Sequence, residues 1–426
     1  MTIYSPQHAS KNDKPKTVGI VGAGIVGICS ALYLQKAGYQ VTLIDGNGIS
    51  QGCSKGNAGH FATEQVFPLA DRALLPQLPK MLLDPIGPFR IKLSYMFKAI
   101  PWFIKFLFNM TKHKVHAHTK ALKSLNQLSL KAYEPLLQDA GLSHLLTKEG
   151  SLLTFEKVKD AEINKLVDDF KAQDINLELL NKEQLEQLEP NLSPNIKSAI
   201  LFKDVAHTCD PELLGFELTK HFLKSGGEFI QEHTESILPH AIGVEVKFKG
   251  QSKRFNKVVV AAGAWSKKII EPLGYKVPLV AERGYHLMLN QPDMLRRPVA
   301  SADRKFIMTP MSSGLRLAGT VEFAGLETKM DERRADILYP HAKQLLPTLK
   351  EQKTTIDDKW MGCRPSLPDS LPVIGLAPNH KHLYFAFGHQ HLGLTQGAIT
   401  GQIISELIGN KTTAVDTAPF DIRRFN

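Results

Sequence analysis

Apolar runs of strand length alternate with stretches of helical period near the start of the chain. Thr17–Val21 is one such run, Ile25, Ile28, Leu32 and Tyr33 repeat at helical spacing, Gly38 stops the helix, and 39–44 is a second run. Residues 257–262 (KVVVAA) are apolar at successive rather than alternate positions, which predicts a buried strand central to a sheet, and 382–387 is a further strand. After the latter run a helix is predicted to open within 388–395 and to end near Leu407. Further strands are expected at Ser151–Phe155, Ser198–Phe202, 285–289, 305–309 and 315–320, and a helix at about 331–346. Amphipathic helical stretches rich in leucine and lysine fill much of 91–195. Asp210 suits an N-cap and Pro211 the first position of a helix to about Lys224, which Ser225, Gly226 and Gly227 would end.

The fold class this predicts is α/β: a Rossmann-type domain with a second, interleaved α+β domain. At 426 residues the chain exceeds the ~250–300 at which a single core usually stops growing. Residues 1–16 are expected to be a disordered leader. The nucleotide-binding domain is expected to comprise 17–90, 196–272 and 358–420, and the substrate domain 91–195 and 273–357.

The turn between the first strand and helix carries the first chemistry. In Gly22-Ala23-Gly24-Ile25-Val26-Gly27, Gly22 permits a tight turn, Gly24 lets amides approach a pyrophosphate, and Gly27 lets the helix pack closely on the strand. Asp45, at the end of the second strand, is placed to accept from ribose hydroxyls and would repel a 2′-phosphate. The loop that follows holds Gly46, Gly48, Gly52, Gly56 and Gly59 with Ser54, Asn57 and Ala58 between them, a composition suited to binding phosphate and ribityl oxygens. A second cradle is expected where Gly388, His389, Leu392, Gly393, Leu394 and Thr395 meet a helix start. Two cradles so far apart in sequence predict one long cofactor, FAD rather than NAD. Val205, Ala262, Gly263 and Trp265 complete the expected cofactor contacts, with His60 and Arg364 on the boundary with substrate.

These motifs, together with SKGNAG at 54–59, AAGAW at 261–265, RGY at 283–285, Arg364-Pro365, Pro368-Asp369, PVIG at 372–375 and 388–395, resemble the D-amino-acid dehydrogenase branch of the D-amino-acid oxidase-like flavoproteins over 17–409. The resemblance implies FAD along one domain and a second, mainly antiparallel domain over the flavin. It further implies oxidation of the Cα–N bond of a small D-amino acid, a D-proline or hydroxy-D-proline type included, with electrons passing to a quinone. An oxygen-using amine or amino-acid oxidase of the sarcosine or glycine type, and a flavin-dependent tRNA-modifying enzyme, stand as alternatives. The pattern departs from that branch at Gln390 and Ser370, where glycine is usual, at Leu394, and at His60 after NAG. Hydride transfer needs a held carboxylate and a neutral amine. Arg364 is the first choice as anchor, with Arg283, Tyr285 and His389 as further substrate contacts, and His60 as proton acceptor alongside catalytic Tyr285 and Arg364.

Composition adds limits. There are 52 basic and 42 acidic residues, a net +10 that favours anionic partners. No aromatic-interleaved basic patch is visible, so nucleic acid is not expected. No apolar run reaches the length of a membrane span, and the polar start lacks a secretory signal. The apolar segment 96–110, flanked by lysines, is either a buried or subunit-contact helix or a peripheral contact with the membrane. A cytoplasmic protein is expected, attached to the inner face of the membrane if that contact forms. Cys29, Cys53, Cys209 and Cys363 show no paired spacing, so neither metal nor disulfide is expected. FAD is expected to be non-covalent, with a tether at Cys363 as the alternative.

Overall fold

The computed structural model describes residues 16–70, 87–351 and 354–425. The expected leader, apart from Lys16, lies outside them. Two large sheets organise the chain. The first has six strands in the order Val373–Leu376, Leu383–Phe387, Lys257–Val260, Thr17–Val21, Gln40–Ile44 and Glu228–Ile230. All run parallel except Val373–Leu376. Successive apolar residues serve opposite faces: Ile20 and Val259 join the core under the helices, whereas Val21, Val258 and Val260 join the core on the other side. The first face carries the helices Ile25–Lys36, Lys112–Ala140, Pro211–Lys224 and Gly393–Ile408. A three-stranded meander, Ser236–His240, Gly243–Phe248 and Gln251–Phe255, packs on the second.

The second sheet orders Ile356–Ser366, Val280–Leu289, Gly314–Phe323, Phe306–Met311, Val299–Ser301, Ser151–Phe155, Ser198–Phe202 and Leu177–Leu180, and Phe89–Ile91 pairs with Gly314–Phe323. Most of its pairs are antiparallel. The expected segment limits cross paired elements. Ser198–Phe202, grouped in sequence with the nucleotide segments, bonds to Ser151–Phe155 in this second sheet, and a limit at 357/358 cuts Ile356–Ser366. Helix Lys112–Ala140, grouped with the substrate segments, buries Leu122, Leu125, Tyr133 and Leu136 in the core of the first sheet.

Local signals explain the elements. Asp210 accepts from the Leu213 amide at 2.8 Å and Pro211 opens the helix, as expected. The helix expected over 331–346 is broken into Arg333–Asp336 and Leu338–Leu345. Pro340 has no N–H for the Asp336 carbonyl, and the break falls there.

Candidate active site

A cavity of about 1090 Å³ lies between the two sheets. Binding cavities in general run to roughly 300–1,000 Å³, so it has room for an extended dinucleotide. Its floor is the first turn. Gly22 has φ +113°, and a Cβ there would meet the Ala261 oxygen at 2.3 Å, so only glycine fits. On Gly27 a Cβ would lie 2.0 Å from the Gly22 oxygen, which is the close helix–strand approach expected of it. Gly24 is the N-cap of helix Ile25–Lys36 and lines the cavity with Ile25 and Val26, so the positive helix end faces the space. Asp45 is fixed by two backbone donors, Ala23 to Oδ2 and Asn47 to Oδ1, each at 2.9 Å. Ser54 Oγ accepts from the Ile25 amide at 2.9 Å, tying the glycine-rich loop to the helix start.

The C-terminal cradle meets the same cavity, through Gly388, His389, Gln390, His391, Gly393 and Leu394. Its helix starts at Gly393, after a single 3₁₀ turn. Both positions that depart from glycine keep a left-handed backbone, with φ +50° at Gln390 and +65° at Ser370. Each gains a compensating bond: Gln390 Nε2 donates to the Leu367 carbonyl at 2.7 Å, and the Leu69 amide donates to Ser370 Oγ at 2.9 Å. These departures are therefore built into the turns.

The second sheet supplies the facing wall. Arg364 lines it and donates from Nη1 to Glu282 Oε1 at 3.1 Å. Its guanidinium lies over Gly284, where a Cβ would fall 2.3 Å from Nη2. At that point the pairing with Gly314–Phe323 shifts register between Gly284 and Tyr285. Trp360 lies against Gly56, where a Cβ would meet its ring at 2.2 Å, and stacks on His286 at 5.1 Å. Arg316 Nη1 donates to the Asn57 carbonyl at 2.5 Å, and burial pushes its pKa down to about 10.

Residues 17–407 match the model of the DAO family, FAD dependent oxidoreductase. The chain belongs to that family. Its cofactor is FAD, and the cavity fits it, with a helix N-terminus, a held carboxylate and a second glycine turn on one continuous space. The chain is 34% identical over 414 residues to a protein named D-amino-acid oxidase from Bradyrhizobium diazoefficiens, covering 96% of this chain and 98% of that one. Among solved structures it is similar to glycine oxidase from Geobacillus kaustophilus (TM-score 0.72, 20% identity, 95% and 97% of the two chains). It is also similar to L-proline dehydrogenase from P. horikoshii (TM-score 0.74, 18% identity, 97% and 98%).

Within this DAO-family fold, the sequence candidates that line the cavity are Gly22, Gly24, Ile25, Val26, Asp45, Gly46, Ser54, Asn57, Ala58, His60, Ala262, Gly263, Trp265, Tyr285, Arg364, Gly388, His389, Gly393 and Leu394. Others act from behind it. Ala23 holds Asp45 and Gly27 packs the helix, whereas Gly59 abuts the Thr208 carbonyl. Thr395 Oγ1 accepts from the Ala62 amide at 2.9 Å instead of facing the cofactor space. Leu392 and Val205 are core residues of two separate clusters. Arg283 is a correction to the expected anchors: fully buried, it donates to Glu322 Oε2 and the Thr328 carbonyl, both at 2.8 Å, and is absent from the lining. Tyr285 also departs from expectation, because its hydroxyl donates to Glu322 Oε2 at 2.5 Å, and burial and that bond raise its pKa. The His389 imidazole bonds through Nε2 with Thr400 Oγ1 at 2.9 Å, and burial lowers its pKa to about 3.

His60 stands 3.6 Å from Glu64 Oε1, and its strand pairs antiparallel with that of His207. Glu64 is buried, and neither its Oε2 nor His60 Nε2 has a hydrogen-bond partner among the described residues. Sequence reading missed Glu64, Lys305, Trp360 and His391, although the last three line the cavity. For Glu64, its place four residues after His60 was the available signal. Glu232 and His233 were missed as well; they line the cavity, and His233 lies against Gly46.

Proposed function

We propose that this oxidoreductase oxidises the Cα–N bond of a small D-amino or D-imino acid, a D-proline or hydroxy-D-proline type included, and passes the electrons to a quinone. The observation that carries the reading is Arg364 in the cavity wall. Glu282 takes only its Nη1, and among the described residues Nε and Nη2 have no hydrogen-bond partner, which leaves part of a planar fork for a substrate carboxylate. We assign the six-stranded sheet to holding the cofactor and the nine-stranded sheet to covering the substrate.

Bound FAD supplies the acceptor for the hydride that leaves Cα. The chain's part is to fix the substrate and take a proton from its nitrogen as the carbon–nitrogen double bond forms. His60, beside the buried Glu64 carboxylate, is the proposed acceptor of that proton. Arg364 orients the carboxylate. Arg283, Glu322 and Tyr285 hold the strand beneath it rather than the substrate itself. Water then adds to the imine and, when the amine is primary, releases a 2-oxo acid and ammonia. The D configuration is supported by the name of the 34%-identical relative.

Oxygen as acceptor is the second reading, favoured by the oxidase names of the relatives. Anaerobic mixing of the yellow protein with D- and L-amino acids, proline derivatives, sarcosine and glycine tests the substrate. Bleaching by small D-amino or D-imino acids is expected, and bleaching by L-enantiomers alone overturns the reading. Admitting oxygen or a quinone analogue afterwards separates the acceptors.

A further inference from the structure

Helix Met96–Phe108 presents an apolar stripe that nothing covers among the described residues. Leu93 is 79% exposed, Phe97 83% and Phe108 66%, and Ile100, Ile104 and Leu107 continue the line at helical spacing. The opposite side is firmly seated. Ala99 and Trp102 are buried, Trp102 stacks on Phe106 at 5.1 Å, and both Trp102 and Phe103 contact Phe323. The Trp102 indole also donates to the Ser366 carbonyl at 3.3 Å. The stripe is thus the outer face of an anchored helix.

The charge along this stretch of sequence is one-sided. No Asp or Glu occurs between Asp84 and Glu134, whereas Arg90, Lys92, Lys98, Lys105, Lys112, Lys114, Lys120, Lys123 and Lys131 do; of these, Arg90 pairs with Asp331 and Lys123 with Asp174. Lys98 and Lys105 are seven residues apart, so they share one flank of the stripe. Lys92, Lys98, Lys105, Lys112 and Lys114 are exposed and form no ion pair among the described residues. Thirteen residues of helix extend about 20 Å, short of the ~30 Å hydrocarbon layer, and no described helix is long and apolar enough to cross it.

We infer that this helix lies in the plane of an anionic lipid surface, its stripe among the acyl chains and its lysines at the headgroups. A second copy of the chain fits less well, because it would bring like charges together. The inference stands apart from the proposed reaction. The FAD-loaded, full-length protein is sedimented with vesicles of phosphatidylcholine alone or with phosphatidylglycerol added. Binding is expected only with phosphatidylglycerol and should weaken as salt rises. It should fall by at least about thirtyfold in Lys98→Glu/Lys105→Glu and comparably in Phe97→Ser/Ile104→Ser. Flavin content and anaerobic bleaching should stay unchanged in both variants. The inference is overturned if the wild-type protein stays in the supernatant, or if both variants sediment as it does. It is also overturned if the wild type is a dimer that Phe97→Ser/Ile104→Ser makes monomeric, which would assign the stripe to a second copy.

Discussion

The guanidinium of Arg364 rests directly on the α-carbon of Gly284, 82 residues' worth of chain from its Glu282 partner and yet adjacent to it across two paired strands. Any side chain at 284 must push the guanidinium away. Gly284→Ala is therefore expected to leave a folded, yellow protein with a KM raised ten- to a hundredfold, matching the roughly 1.5–3 kcal/mol of a charged hydrogen bond. Steady-state kinetics beside the absorbance spectrum measures this. An unchanged KM would remove Arg364 from the substrate site.

His389 makes stability depend on pH. Burial holds its folded pKa near 3, below the ~6.5 of an exposed histidine. Below pH 6.5 the unfolded chain takes up a proton that the folded chain refuses, so the contribution is complete above 6.5 and is lost as pH falls towards 3. Each such group costs about 1.4 kcal/mol per pH unit in that window. His207, His286 and His391, pushed to about 4, act in the same direction. Denaturant unfolding between pH 7 and 5 should show His389→Gln with a slope shallower by one proton. A slope equal to wild type would mean that His389 is not held neutral.

The first sheet was largely legible in the sequence because its signals are local. Gly22, Gly24 and Gly27 sit within one turn, and buried parallel strands announce themselves as apolar runs. The facing wall was not legible in the same way. Arg283 and Arg364 each bond to a glutamate on a neighbouring strand, and pattern alone could not tell that Glu322 and Thr328 bury one while Gly284 leaves room for the other. Arg316 braces the loop at Asn57 and Trp360 covers Gly56, contacts between residues far apart in the chain with no periodic trace. Ser198–Phe202 looked like any apolar strand, and only its partner decided which sheet it joined.

Cys363 lines the cavity, but burial raises its thiol pKa, which keeps it in the less nucleophilic protonated form. FAD is expected to bind without a covalent bond. Acid precipitation should leave the yellow colour in the supernatant, and Cys363→Ser should purify with the same flavin content. Colour retained by the precipitated polypeptide would establish a tether.

Cofactor binding depends most on the turn at Gly24, where the helix end lines the cavity. Asp is a favoured N-cap, the φ of −77° at Gly24 suits it, and its Cβ would meet only the Ser54 side chain, at 3.3 Å, so Gly24→Asp is expected to keep the fold while placing a negative charge where the pyrophosphate must approach. The ratio of flavin absorbance to protein in purified Gly24→Asp, with circular dichroism confirming the fold, is the most direct measurement. A folded, colourless protein is the predicted result, and a folded protein carrying its full flavin complement would contradict it.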